Sequence, residues 1–119
     1  MPNEGDWCHI EIPSRDLERA KAFYAEVFGW TFHDVPGMDY SFFTTSENAL
    51  SGGIMRNERA PRHPVGYVAV DAIASMIARI ESKAGGVVLE KTAFGEAGWL
   101  AWVKDPDGNV FGLWERKKG

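Results

Sequence analysis

Hydrophobic and polar positions alternate from Trp7 to Ile12, which predicts a strand. Cys8, Ile10 and Ile12 lie on one side; Trp7, His9 and Glu11 lie on the other. Pro13 has no N–H to give to a ladder and is expected to end the strand. The period then changes to helical. Leu17, Ala20, Phe23, Tyr24, Val27 and Phe28 form one apolar stripe, with Asp16 as N-cap, Glu18 in the first turn and Gly29 as a left-handed C-terminal residue. A helix over about 16–28 follows, its stripe expected to cover the Cys8/Ile10/Ile12 face. The opposite strand face, with an indole, an imidazole and a carboxylate, has the composition of a cavity wall rather than of a core.

The next strands are expected at Trp30–Val35, Tyr40–Thr45 and Gly52–Arg56, with a turn at Pro36-Gly37. Residues 57–64, with two prolines and no periodicity, read as a linker. The pattern then restarts. Val65–Val70 is a strand, Asp71 caps a helix over about 72–84 striped by Ile73, Ile77, Ile80 and Ala84, and Gly85-Gly86 ends it. Val87–Glu90, Trp99–Lys104 and Val110–Glu115 follow as strands. Asp105-Pro106-Asp107-Gly108 joins the last two as a turn, its aspartates local caps rather than catalysts. The order β-α-β-β-β occurs twice, so the chain reads as an internal duplication. The expected fold class is α+β: two pseudo-symmetric βαβββ modules forming a concave mixed-sheet cleft with helices outside. Module one spans about 6–56, module two about 65–116, within one domain over residues 1–119.

At 119 residues and 45% hydrophobic, the chain has material for one core. No apolar run approaches the ~20 residues of a membrane span, and MPNEGDW has no signal-peptide pattern; a cytoplasmic location is expected. A net charge of −4 argues against a nucleic-acid partner. The basic cluster Arg116, Lys117 and Lys118 reads as a solvated end. Cys8 has no second cysteine to pair with and is expected to be buried and inert. Five tryptophans and seven phenylalanines exceed what two small cores hide, which predicts a homodimer contact or a lined pocket.

HIEIPSRDLERAKAFYAEVFGW (9–30) and WVKDPDGNVFGLWE (102–115), with the paired βαβββ layout, resemble the vicinal oxygen chelate superfamily: glyoxalase I, extradiol dioxygenases, and fosfomycin- and bleomycin-resistance proteins. The ending VFGLWE after GWLAWVKDPDG resembles a metal-poor, "glyoxalase-like" branch. The resemblance implies four metal positions, on the first and last strands of each half. Here these are His9, Gly53, Tyr67 and Gly112. Two of them have no side-chain donor, so no metal set and no cofactor is expected. The alternative is a relocated site for Zn, Ni, Fe or Mn built from His9 and Glu11; His33 and His63 have no direction fixed by the pattern.

Glycine inside a strand often marks close approach by a ligand or another backbone. Gly53 and Gly112 are therefore expected to leave an empty cleft floor bordered by Trp7, Phe42, Met55, Tyr67 and Trp114. Such a lining favours a planar or apolar small molecule. His9 or Glu11 would serve as general base, and Tyr67 as hydrogen-bond donor to an oxyanion. The readings carried forward are a metal-independent small-molecule-binding protein, a metal-dependent lyase or dioxygenase with non-standard ligands, and an antibiotic-sequestering protein.

Overall fold

The computed structural model describes residues 2–46, 49–56 and 63–118. Its elements are β1 (Trp7–Ser14), α1 (Leu17–Phe28), β2 (Thr31–Asp34), β3 (Tyr40–Thr44), β4 (Gly52–Arg56), β5 (Val65–Ala69), α2 (Ile73–Ser82), β6 (Gly86–Phe94), β7 (Gly98–Lys104) and β8 (Val110–Arg116). This is the α+β, twice-repeated βαβββ order the pattern predicts. Most of the expected linker, residues 57–62, lies outside the described residues. The chain divides into two units, one covering His9–Val65, the other joining the residues through Cys8 to Gly66 and beyond.

In the His9–Val65 unit, β1 and β4 pair in parallel, and β4–β3 and β3–β2 pair antiparallel. Pro13 does not end β1; it pairs with Met55 and the strand runs on to Ser14. Ile10 gives its N–H to the Ser51 carbonyl at 3.1 Å. Strand alternation therefore turns the even-numbered amides towards β4 and leaves residue 13 facing away, where a missing donor costs that ladder nothing. Asp16 caps α1 by accepting from Arg19 N–H at 3.1 Å, and Gly29 closes it at φ 75°, both as expected.

The helix side of this sheet holds fully buried Ile54 and an aromatic column. Trp30 stacks on Phe43 at 4.4 Å and on Tyr24 at 4.8 Å. The apolar stripe of α1 is nevertheless only partly covered: Phe23, Val27 and Phe28 are 54%, 56% and 61% exposed. Cys8 is half-buried, and burial with Asp6 nearby holds its thiol above the usual range.

In the other unit β5 and β8 are parallel, and β8–β7 and β7–β6 antiparallel. Its core is Val70, Ile73, Ala101, Val103 and Leu113, under Met76, Ile77 and Ile80 of α2. Strand β6 runs well beyond Glu90, with two register shifts between Val87 and Thr92. Asp71 is not the cap of α2. The N-cap is Ala72, which offers no side-chain bond. The Ile73 N–H donates instead to Glu115 Oε1 on β8 at 2.7 Å, a carboxylate at the positive end of the helix.

The helix ends at Ser82 with Lys83 as its C-cap, two residues short of the expected 84. Gly85 N–H reaches back to the Ile80 carbonyl at 2.9 Å, and the left-handed residue between is Ala84, at φ 69°. A β-carbon there is strained. Ala84→Gly is expected to stabilise the protein by about 0.5–1 kcal/mol, read as a higher urea midpoint with unchanged m.

Candidate functional site

Alternation and register decide which side chains share a face. In the His9–Val65 unit, Glu11 pairs with Gly53, Gly53 with Phe42, and Phe42 with His33. These four positions lie in one row across the sheet and point to the face away from α1. His9, Met55 and Tyr40 belong to the same face by period two. The sequence pattern had left His33 without a direction; β2 places it on this face, at an exposed edge position. Among the nominated residues, His9, Glu11, Phe42, Gly53 and Met55 are thus brought onto one surface.

Tyr40 was not nominated, and it organises that surface. Its ring is 3% exposed and its hydroxyl is hydrogen-bonded to His9 Nε2 at 2.7 Å. Phe42 lies edge-on to both, 5.0 Å from Tyr40 and 6.1 Å from His9. Burial pushes the His9 imidazole down to a pKa of about 4, so the ring is uncharged at neutral pH. Depending on the tautomer, the hydroxyl donates to Nε2 or Nε2–H donates to the hydroxyl oxygen. Glu11 is 4% exposed beside Gly53.

The expected vacancy at Gly53 is filled. A β-carbon there would collide with the Tyr40 ring and hydroxyl. The same device recurs in the other unit, where Tyr67 pairs with Gly112 and a β-carbon on Gly112 would strike the Tyr67 ring. Tyr67 is buried, and its hydroxyl accepts from Trp102 Nε1 at 2.6 Å. The glycines are therefore seats for neighbouring tyrosine rings, not open floor. The sequence signal was available, since aromatic rings commonly pack over cross-strand glycines. Register also changes the internal correspondence: the residue opposite Gly53 is Glu11, two along from His9, whereas Tyr67 is opposite Gly112.

The remaining nominated residues separate. Trp7 packs over Gly66 and edge-on to Phe111 at 6.4 Å; Phe111 packs on the α2 core, opposite in phase to Gly112. Trp114 shares the Tyr67 and Gly112 face and meets Phe94 edge-on at 6.0 Å.

A family model for the bleomycin resistance protein-like N-terminal region matches residues 7–46. CFP32 of Mycobacterium bovis, provisionally named a glyoxylase, is 28% identical over 117 residues, covering 92% of this chain. The chain spans only 45% of that relative's length. Among solved structures, methylmalonyl-CoA epimerase from Mycobacterium tuberculosis superposes with a TM-score of 0.70 at 17% identity, over 96% of this chain and 89% of its own. A glyoxalase/bleomycin resistance protein/dioxygenase superfamily member from Vibrio splendidus gives 0.62 at 15%, over 89% and 95%. The chain is thus similar to bleomycin resistance protein-like and glyoxylase-like proteins in sequence, and to members of the glyoxalase/bleomycin resistance protein/dioxygenase superfamily in fold. At such identities the solved structures establish the fold and leave activity open.

The superfamily resemblance implies a divalent metal, and the donor set does not fit one. A protein site needs about three nitrogen or oxygen side-chain ligands. Of the four inherited positions, Gly53 and Gly112 offer none, the Tyr67 hydroxyl is bonded by Trp102, and His9 Nε2 is bonded to Tyr40. Among the described residues no three His, Cys, Asp or Glu side chains gather.

Proposed function

We propose that the chain binds a small, uncharged organic molecule on the face carrying His9, Tyr40 and Phe42, and that any turnover there proceeds without a chelated metal. The observation that carries this reading is the 2.7 Å bond between His9 and a buried tyrosine, in a ring kept neutral by desolvation. A neutral imidazole–phenol couple recognises an oxygen or nitrogen by hydrogen bonding, not by charge. The buried Glu11 carboxyl beside it argues against an anionic ligand at that spot. Phe42, 39% exposed at the rim, offers an apolar surface for a planar body. In a catalytic version, the couple would relay one proton to or from the ligand, with His9 as general base. A cytoplasmic homodimer is part of the same proposal, with the exposed α1 stripe as a surface available for pairing.

The test combines a thermal-shift screen of neutral metabolites with elemental analysis of protein purified without added metal or chelator. Tyr40→Phe and His9→Gln are expected to weaken a captured ligand about fivefold to twentyfold, the value of one or two hydrogen bonds, while the fold is retained. Stoichiometric transition metal that disappears in His9→Ala would overturn the reading.

A further inference from the structure

The unit that contains β8 holds a cavity of ≈ 250 Å³. Trp114, the cations Arg116, Lys117 and Lys118, and the acids Glu4 and Asp71 are among its lining residues. The volume is somewhat below the ~300–1,000 Å³ of a drug-sized pocket, so it suits a small metabolite.

Read from the sequence, the three cations were a solvated chain end. The structure puts all three in the lining of this cavity. Arg116 is the last residue of β8. Lys117 N–H donates to the Ala97 carbonyl at 2.9 Å, tying the backbone after β8 to the β6–β7 turn. The backbone near Glu4 and Asp71 is also tied down: Gly5 N–H donates to the Ala69 carbonyl and Ala69 N–H to the Asp6 carbonyl, both at 2.8 Å. Glu4 Oε2 accepts the Asp71 N–H at 2.9 Å, which commits that carboxylate to the bend before α2. Phe94 braces the Trp114 ring from its edge. Three cations against two acids give the lining a formal excess of one positive charge on a chain whose net charge is −4.

We propose that this cavity takes a small planar ligand bearing one carboxylate or phosphate, its body on Trp114 and its anion at the Arg116, Lys117 and Lys118 side chains. The cavity shares no lining residue with the neutral site around His9, so the two proposals stand or fall separately. An aromatic wall supplies contact area, and a cluster of cations around a mostly apolar cavity selects the anion.

Benzoate, phenyl phosphate and the neutral isostere benzamide, titrated into the ¹⁵N-labelled chain, test this directly. Both anions are expected to shift the Trp114 indole and the Lys117 and Lys118 amides, and to bind at least about tenfold more tightly than benzamide. Lys117→Glu with Lys118→Glu, two surface changes, is expected to weaken the anions at least about tenfold and leave benzamide unaltered, with spectral dispersion showing that the fold persists. Tighter binding of phenyl phosphate marks a phosphate ester as the natural class; parity marks a carboxylate. Equal affinity for benzamide, no effect of the lysine reversals, or shifts confined to His9 and Tyr40 would each refute the site.

Discussion

Gly112→Ala is expected to destabilise the protein by roughly 1–3 kcal/mol, the usual cost of forcing extra atoms into a packed interior. The backbone is not the reason: Gly112 has no positive φ, and a glycine-to-alanine change in a strand otherwise favours folding by up to about 1 kcal/mol. The cost comes from Tyr67, whose ring occupies the space a β-carbon would take. That ring is 2% exposed and fixed at its far end by Trp102 Nε1 at 2.6 Å, so it has little freedom to retreat. The mechanism is checked by a double-mutant cycle in urea. In a Tyr67→Ala background, adding Gly112→Ala is expected to be neutral or stabilising. A penalty that persists without the ring would show that something other than the tyrosine excludes the side chain. Gly53→Ala and Tyr40 form the corresponding pair in the other unit.

The second expectation is a loss of stability in acid that depends on His9. Its imidazole titrates near 4 in the folded chain and near 6.5 when unfolded. Between those values the unfolded state binds the extra proton, so stability rises with pH through that window. The folded chain is therefore expected to keep this contribution above about pH 6.5, lose it progressively as pH falls, and have lost it by about pH 4. A separation of that size corresponds to about 3 kcal/mol. Urea midpoints from pH 7 to 4 provide the measurement, with His9→Gln as control. The variant is expected to show a flatter profile over the same range, and parallel profiles would remove His9 as the source.

Much of the fold was legible because each helix announces itself locally. Asp16 and Gly29 bracket α1 where the apolar stripe begins and ends, and both caps form. What failed was whatever depends on a distant strand. Asp71 looked like the cap of α2, but the bond comes from Glu115, 42 residues away in sequence. Pro13 looked like a terminator because the pattern cannot say which amides face β4. Strand β6 looked short because its two register shifts break the alternation that would have revealed it.

The candidate site was legible in composition and not in occupancy. His9, Glu11 and Phe42 were assigned to one surface by period two and register. Tyr40, which holds His9, went unnoticed, because an aromatic residue opening a strand looks like ordinary core. Likewise the α1 stripe gave the helix but not its coverage, since Phe23, Val27 and Phe28 satisfy the spacing and stay exposed.

The tyrosine-over-glycine pairs also bear on which sequences this chain can reach by single steps. A carboxylate at position 112 would offer a metal donor, yet Gly112→Glu alone meets the Tyr67 ring before it meets any ion. Clearing that ring first leaves Trp102 Nε1 without the hydroxyl it donates to and opens a void beside a backbone still built for glycine. Either change taken alone is disfavoured, so placing a chelating residue at this position requires both together. Each of the two units carries one such tyrosine-over-glycine pair, so a side chain at either glycine has to arrive together with a smaller neighbour.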